Sequence, residues 1–361
     1  MARLLTAGFE TGSLQELNGE TYGTATIVTL AARTGARSLS LLGGIIRGGV
    51  SHATHVLEIR TELFIRVAFK ISPMAIVDGH PFIVFDRKTE SPVDGTYTLY
   101  FDPATQTFDL YGGAEPGIDP DAALIARGST AIRADIWYIL EMHLEIDTAE
   151  PYPRPGTFTL KINGAEELVG RLLDVVQDHS CILFAGPWGN AGGAAYFDDL
   201  AINDTSGAFQ NSWIGLGGVT FKKPNGDGAT TEWTPSTGSD HFALVDEVPA
   251  NTSDFVQGQD DGDLELFDIE ATSSYVTAIN VVQPVAQAAI KAAGSRFVRD
   301  VVQVDGTDYP GSVEIEVSDA TPNYTLLRGE TYYENPDGVS GALTAGDLDA
   351  LQVGWEIPLP T

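Results

Sequence analysis

The residues best suited to chemistry form the run Glu141-Met142-His143-Leu144-Glu145. In an extended strand, successive side chains point to opposite faces. Glu141, His143 and Glu145 then share one face, while Tyr138, Leu140, Met142, Leu144 and Ile146 share the other. Two carboxylates on one sheet face could supply the acid and the nucleophile of glycoside hydrolysis. Spacing sets a condition on that chemistry. Four residues of strand separate the two backbones by about 13 Å, whereas a retaining pair needs its carboxyl groups about 5–5.5 Å apart. The glutamates could meet only by leaning together over a concave surface. The simpler expectation is polar residues on a solvated or inter-domain face, with no catalytic residue among them.

Binding a sugar without cleaving it asks for less: an aromatic platform and a few fixed polar groups. Trp137, Trp188 and Tyr196 are candidate platforms, Trp188 in the loop Gly186-Pro187-Trp188-Gly189-Asn190. Trp137, Glu141, His143, Glu145 and Trp188 form the candidate ligand-binding set. Hard-cation chemistry has two candidate clusters, Asp198, Asp199, Asn203 and Asp204, and then Asp260, Asp261 and Asp263. Asp198, Asp199 and Asp204 are the candidate metal ligands, and calcium is the one cofactor they would suit. Calcium gathers roughly 6–8 oxygens, usually from several segments, and turn formation explains Asp-Asp-Gly-Asp equally well. Six scattered histidines, with no cysteine or second histidine pair beside His52 and His55, argue against zinc. Gly43-Gly44 and Gly48-Gly49 lack a phosphate-loop lysine pattern and read as a bend or bulge.

The elements that must hold these residues are strands. The chain has 361 residues, of which 43% are hydrophobic, enough for two cored domains. Its 39 glycines and 19 prolines are spread out, as the many turns of an all-β protein require. The first domain, residues 1–205, should contain strands over Ala25–Leu30, Ser38–Leu42, His55–Phe69, Pro81–Asp86, Thr96–Phe101, Thr107–Tyr111, Trp137–Asp147, Thr157–Asn163, Cys181–Ala185 and Tyr196–Asn203. Asn163-Gly164 predicts a tight hairpin, and Asp78-Gly79 and Asp94-Gly95 predict turns. Thr148–Gly156, with three prolines, reads as a loop, and Ala165–Val176 as a place for a turn of helix. In the last strand, alternation puts Asp198 on one face with Tyr196, Leu200 and Ile202. A carboxylate there must be hydrogen-bonded or metal-bound.

Asp204–Gly207 reads as the joint, and residues 206–361 as a second β-sandwich. Lys223–Gly228 and Thr234–Gly238 read as polar loops. Strands are expected at Leu264–Ile269, Tyr275–Gln283, Phe297–Val304, Val313–Val317, Thr325–Leu327 and Val353–Ile357. Ala286–Ala293 is helical by propensity but a strand by position, and the strand is preferred. Thr344–Leu351 reads as a short helix capped by Thr344, with Asp347 at its positive end.

Fifty acidic residues against 20 basic give a net charge of −30. Such a polyanion is a poor partner for nucleic acid and anionic lipid. No uninterrupted apolar run predicts a transmembrane helix, and the N-terminus carries no secretory pattern. The single cysteine, Cys181, sits in an apolar run and suits a reducing compartment.

Trp137 through Asp147, the Phe158–Gly164 hairpin and Tyr196-Phe197-Asp198-Asp199-Leu200 together resemble the concanavalin A-like lectin/glucanase jelly roll. Related glucanases carry Glu-x-Asp-x-Glu on such a strand, and here His143 replaces the central aspartate. A second set of segments covers about 150 residues: Asp204–Gly207, Asn211–Gly215, Pro224–Gly228, Trp233–Ser236, Val245–Glu247, Glu334–Pro336 and Leu348–Gly354. These resemble uncharacterised structural proteins of tailed-bacteriophage virions. The resemblance implies a virion structural and interaction protein, at the head surface, neck or tail tip. Its partners would be other virion proteins and a host surface glycan. It would form a homo-oligomer or occur in multiple copies on a symmetric particle assembled in the host bacterial cytoplasm. The alternative it leaves open is a glycoside hydrolase or depolymerase on the same fold.

Overall fold

In the computed structural model the described residues are 3–18, 21–43, 52–77, 79–86, 97–112, 122–147, 154–175, 179–187, 193–291, 294–318, 324–338 and 341–359. Trp188, Asp78, the Asp94-Gly95 turn, Gly44, Gly48-Gly49 and residues 148–153 lie outside them, as does the side chain of Cys181. The chain divides into two compact units, Met1–Thr220 and Phe221–Thr361. The boundary therefore falls after residue 220 instead of 205. Residues 205–220 return across the first unit, where side chains of its sheet bind their backbone.

The first unit runs through β1 (Arg3–Ala7), β2 (Thr21–Tyr22), β3 (Ala25–Val28), β4 (Ser38–Leu42), β5 (His52–Arg60), β6 (Glu62–Ile71), β7 (His80–Asp86) and β8 (Tyr97–Asp102). It continues with β9 (Thr107–Gly112), β10 (Ala123–Arg127), β11 (Tyr138–Ile146), β12 (Arg154–Ile162), β13 (Ala165–Val175), β14 (His179–Ala185) and β15 (Ala194–Asn203). One antiparallel sheet has the order β13-β12-β11-β6-β15-β4-β3, with β1 also on β15. The other has the order β10-β9-β8-β7-β14-β5-β2. Their inner faces share one core, in which Leu63, Ile65, Val67 and Phe69 of β6 meet Phe82, Phe85, Phe101 and Phe108 of the second sheet. Phe82 lies 4.9 Å from Phe69 and 5.0 Å from Phe197, centroid to centroid, so rings from both sheets interlock. This is an all-β jelly-roll sandwich.

Arg154–Gly156, expected within a loop, opens β12, and two further elements of the first unit differ from the sequence expectation. His55–Phe69 is not one strand: the chain leaves β5 in one sheet and enters β6 in the other, with Thr61 between them. Ala165–Val175 is a strand, not a helical turn. Its pairing with β12 buries Leu168 and Leu172 in the core, and that burial overrides helix propensity. The hairpin that leads into it is the expected one, with Asn163 and Gly164 at φ of 51° and 82°.

The second unit contains β16 (Pro224–Thr231), β17 (Thr234–Pro235), β18 (Val256–Gln257), β19 (Leu264–Ile269), β20 (Val285–Ala288) and β21 (Ser295–Val304). After these come β22 (Thr307–Pro310), β23 (Ile315–Ser318), β24 (Thr325–Arg328), the helix α1 (Ala345–Ala350) and β25 (Gln352–Glu356). Its main sheet has the order β16-β19-β25-β21-β22, with β23 also on β21. Ala286 and Ala288 of the β20–β24 ribbon pack with Val298, Leu327, Trp355 and Ile357; of the strand expected over Ala286–Ala293 only 286–288 forms, 289–291 being irregular and 292–293 outside the described residues. Leu348 and Leu351, in and just after α1, pack on Val302 and Val304. Thr344 and Asp347 bond each other's backbone N–H in a full capping box. Tyr275–Gln283, expected as a strand, is irregular apart from one bridge between Val282 and Tyr332. Pro224–Gly228, expected as a loop, belongs to β16, where Gly228 lies against the Leu266 backbone with no room for a side chain.

A second close approach makes a test. A Cβ on Gly354 of β25 would run into the carbonyl oxygen of Glu265 on β19. Gly354→Ala should destabilise the second unit by about 3 kcal/mol, the upper range for overpacking. Urea unfolding should show a lowered midpoint, and an unchanged midpoint would contradict the packing described.

Candidate functional site

The outer face of the β6–β11–β15 sheet is organised by an irregularity in β15. Between Asp198 and Ala201 that strand has one residue more than β6 opposite it, and Asp199 takes a φ of 54°. The same point is where the neighbour on its other side changes from β4 to β1. A bulge reverses the alternation beyond it. Tyr196 and Asp198 therefore lie on the outer face, beside Lys70 and Ala68, while Leu200 and Ile202 turn into the core. The expectation that Asp198 shares a face with Leu200 and Ile202 fails for this reason.

Both aspartates are fully buried and use their oxygens on protein donors. Asp198 Oδ2 accepts the N–H groups of Arg33 (2.8 Å) and Thr34 (3.3 Å), and its Oδ1 accepts the N–H of Asp199 (2.7 Å). Asp199 pairs with the Arg33 guanidinium and accepts the Thr34 hydroxyl and the Val219 N–H (2.6 Å). Asp204 accepts the N–H and hydroxyl of Ser206 at 2.9 and 2.7 Å, closing a local turn. The three candidate calcium ligands thus act as backbone anchors. Among the described residues, no group of three or more His, Cys, Asp or Glu side chains is placed to hold a metal ion. Burial, and after it the Asp199 carboxylate, pushes the Asp198 carboxyl up to about 8.

Residues 205–220 lie along this face as a strap. Asn203 Nδ2 donates to the Ser212 carbonyl (3.0 Å), and the Gly215 N–H donates to Glu141 Oε1 (2.7 Å). The Arg33 guanidinium reaches the carbonyls of Leu216 and Gly217. Gly215 takes a φ of 82°, and a side chain on Gly218 would collide with Thr34. The expected row of Glu141, His143 and Glu145 does share one face, but the strap divides it. Glu141 is buried with its oxygen on the strap. His143 lies flat on Phe64 (4.3 Å, 3° between planes), its Nε2 2.9 Å from Glu62 Oε1. Trp213 of the strap stands edge-on to both rings at 5.7 Å, with the Lys161 ammonium 3.5 Å from its own ring centroid. Glu145 is exposed and accepts a long bond, 3.4 Å, from the Thr157 hydroxyl. Glu141 and Glu145 therefore stand in different surroundings, one buried against the strap and the other exposed.

Beyond the strap, a different group is brought together. The Lys70 ammonium lies 5.5 Å from the Trp137 ring centroid and 5.0 Å from that of Tyr196. All three side chains are half-buried. Tyr196 is in register with Lys70 on one side and Ser40 on the other, and Ser40 with Thr26. Neighbouring strands lie about 4.8 Å apart, so these residues form a strip running across the strands. Trp137 and Tyr196 were legible as platforms, but Lys70, Arg33, Arg66 and Trp213 were not. The alternation Glu62, Phe64, Arg66, Ala68, Lys70 in β6 carried the signal, masked by the merging of β5 and β6. On the outer face of the second sheet, buried Asp109 is paired with Arg127, and Tyr100 and Tyr111 meet edge-on at 5.9 Å.

The sequence matches no protein-family model and no curated protein. Among solved structures it is similar to an endo-β-1,4-glucuronan lyase from the fungus Trichoderma reesei, at 14% identity and a TM-score of 0.38, over 51% of this chain and 87% of that one. It is also similar to the carbohydrate-binding module CBM66 from Bacillus subtilis, at 15% identity and a TM-score of 0.34, over 51% of this chain and 94% of that one. A third likeness, to the PL-14 alginate lyase of Aplysia kurodai, has 9% identity and a TM-score of 0.36, over 51% and 89% of the two chains. At these values the likenesses add nothing to what the strand order itself shows.

The buried carboxylates fix a pH dependence. Desolvation is the largest cause of the raised values at Asp198, Asp300, Glu265 and Glu10. The folded state then holds these protons more tightly than the unfolded chain, whose carboxyls titrate near about 4. Their contribution to stability is full below that range and is lost as pH rises, for Asp198 through about 8. Thermal unfolding should give a higher Tm at pH 5 than at pH 8.5, and Asp198→Asn should shrink that difference. A Tm that rises with pH over this range would contradict the assignment.

Proposed function

We propose that this chain is a non-catalytic binding protein whose first unit recognises a glycan on the strip of Trp137, Lys70 and Tyr196. The observation that carries the reading is the outward placement of two aromatic rings around one ammonium, with exposed Thr26 two strands from Tyr196 in the same register. Aromatic rings take the apolar faces of sugar rings, and a few fixed polar groups orient them. Hydrolysis by Glu141 and Glu145 is disfavoured because the Glu141 carboxylate is held by the strap at Gly215. The resemblance of the later segments to tailed-phage virion proteins supports a place on a virus particle. There the chain would sit in multiple copies among other virion proteins and adhere to a host surface glycan. The dispersed negative charge suits a soluble, crowded assembly.

The test is binding to an immobilised set of bacterial surface polysaccharides. The wild type should bind at least one of them without releasing reducing sugar. Trp137→Ala and Tyr196→Ala, with unchanged Tm, should each weaken binding at least about tenfold, roughly 1.4 kcal/mol. Glu141→Gln should bind like the wild type. Binding unaffected by either aromatic substitution would defeat the proposal.

A further inference from the structure

Of the cations on this face, Lys70 is set apart by its place: Arg33, Arg66 and Lys161 lie at the bulge or against the strap, whereas Lys70 stands beyond the strap between two rings. Arg33 is paired with Asp199, Arg66 donates its Nε to the Asp199 carbonyl (3.2 Å), and Lys161 sits on Trp213. Among the described residues Lys70 forms no ion pair, although the chain carries 50 acidic side chains. Its ammonium faces two uncharged rings. A ring quadrupole attracts an ammonium but leaves its net charge in place. The three N–H donors of the ammonium remain suited to a carboxylate oxygen.

The surrounding charge narrows the ligand. A protein of net charge −30 repels a densely charged polyanion at long range. One local cation flanked by two aromatic platforms instead suits one carboxylate flanked by uncharged pyranose rings. The rings would lie on Trp137 and Tyr196, and the acid would meet Lys70 between them. From this we infer that the strip selects glycans in which an isolated acidic sugar, such as a uronic acid, stands among neutral ones. The inference rests on the glycan-binding reading above and adds the chemical class of the ligand.

The experiment presents each bacterial polysaccharide in two forms, native and with its uronic carboxyls reduced to primary alcohols. The probes are wild type, Lys70→Met, Lys70→Arg and Trp137→Ala, each confirmed as folded by its Tm. Carboxyl reduction should weaken wild-type binding at least tenfold. Lys70→Met should lose the preference for the native form, and Lys70→Arg should keep it. Trp137→Ala should weaken binding to both forms. If the wild type binds native and reduced forms equally, or Lys70→Met keeps the preference, the acidic-sugar inference is wrong while glycan binding stands. Failure of the wild type to bind any glycan overturns both.

Discussion

Two adjacent carboxylates at the bulge of β15 constrain everything on the outer face of the first unit. An ionisable group cannot be buried without partners at tolerable cost, and Asp198 and Asp199 find theirs in segments far away in sequence. The N–H groups of Arg33 and Thr34 fix the turn before β4, and the N–H of Val219 fixes the end of the strap. The Arg33–Asp199 pair adds a charge-assisted bond, stronger than a neutral one. The pair sits where β15 exchanges β4 for β1 as its neighbour, a point at which backbone pairing is interrupted. Side-chain oxygens take over there the role that ladder bonds have elsewhere in the sheet.

From that anchor the face divides into two parts. The strap, held at Val219, Gly215 and Ser212, covers Glu141 and sets Trp213 edge-on against Phe64 and His143. Glu141, one of the polar residues that look most like chemistry in the sequence, holds the strap instead. What the strap leaves open is the strip around Lys70. The same bulge that lets Leu200 and Ile202 enter the core leaves Tyr196 outside, beside Lys70. Anchor and strip are therefore consequences of one extra residue.

Much of this was legible in the sequence where periodicity was regular. The alternation of β11 and β12, the Asn163-Gly164 hairpin and the Thr344 cap all rest on local rules, and local rules suffice for them. The misreadings share a different cause. A bulge adds one residue and reverses parity without leaving a distinct composition, so Asp198 was placed with Leu200 and Ile202. The crossing at Thr61 lies between two continuous apolar runs, so β5 and β6 looked like one strand. Residues 165–175 have helical propensity that their pairing with β12 outweighs. For the site, residue type identified Trp137 and Tyr196 as platforms. Lys70 came to light only through register, because nothing in a lysine's immediate sequence tells which rings will stand beside it.

The most direct measurement is amide hydrogen exchange of the unliganded protein, resolved at Gly215 and Val219. Their N–H groups lie in a segment without regular secondary structure, yet they donate to Glu141 and Asp199. They should exchange at rates comparable to the strand amides of β15, and Asp199→Ala should release Val219 to rapid exchange. Exchange of both amides at the rate of a free loop in the wild type would contradict the anchored strap and the division of the face that follows from it.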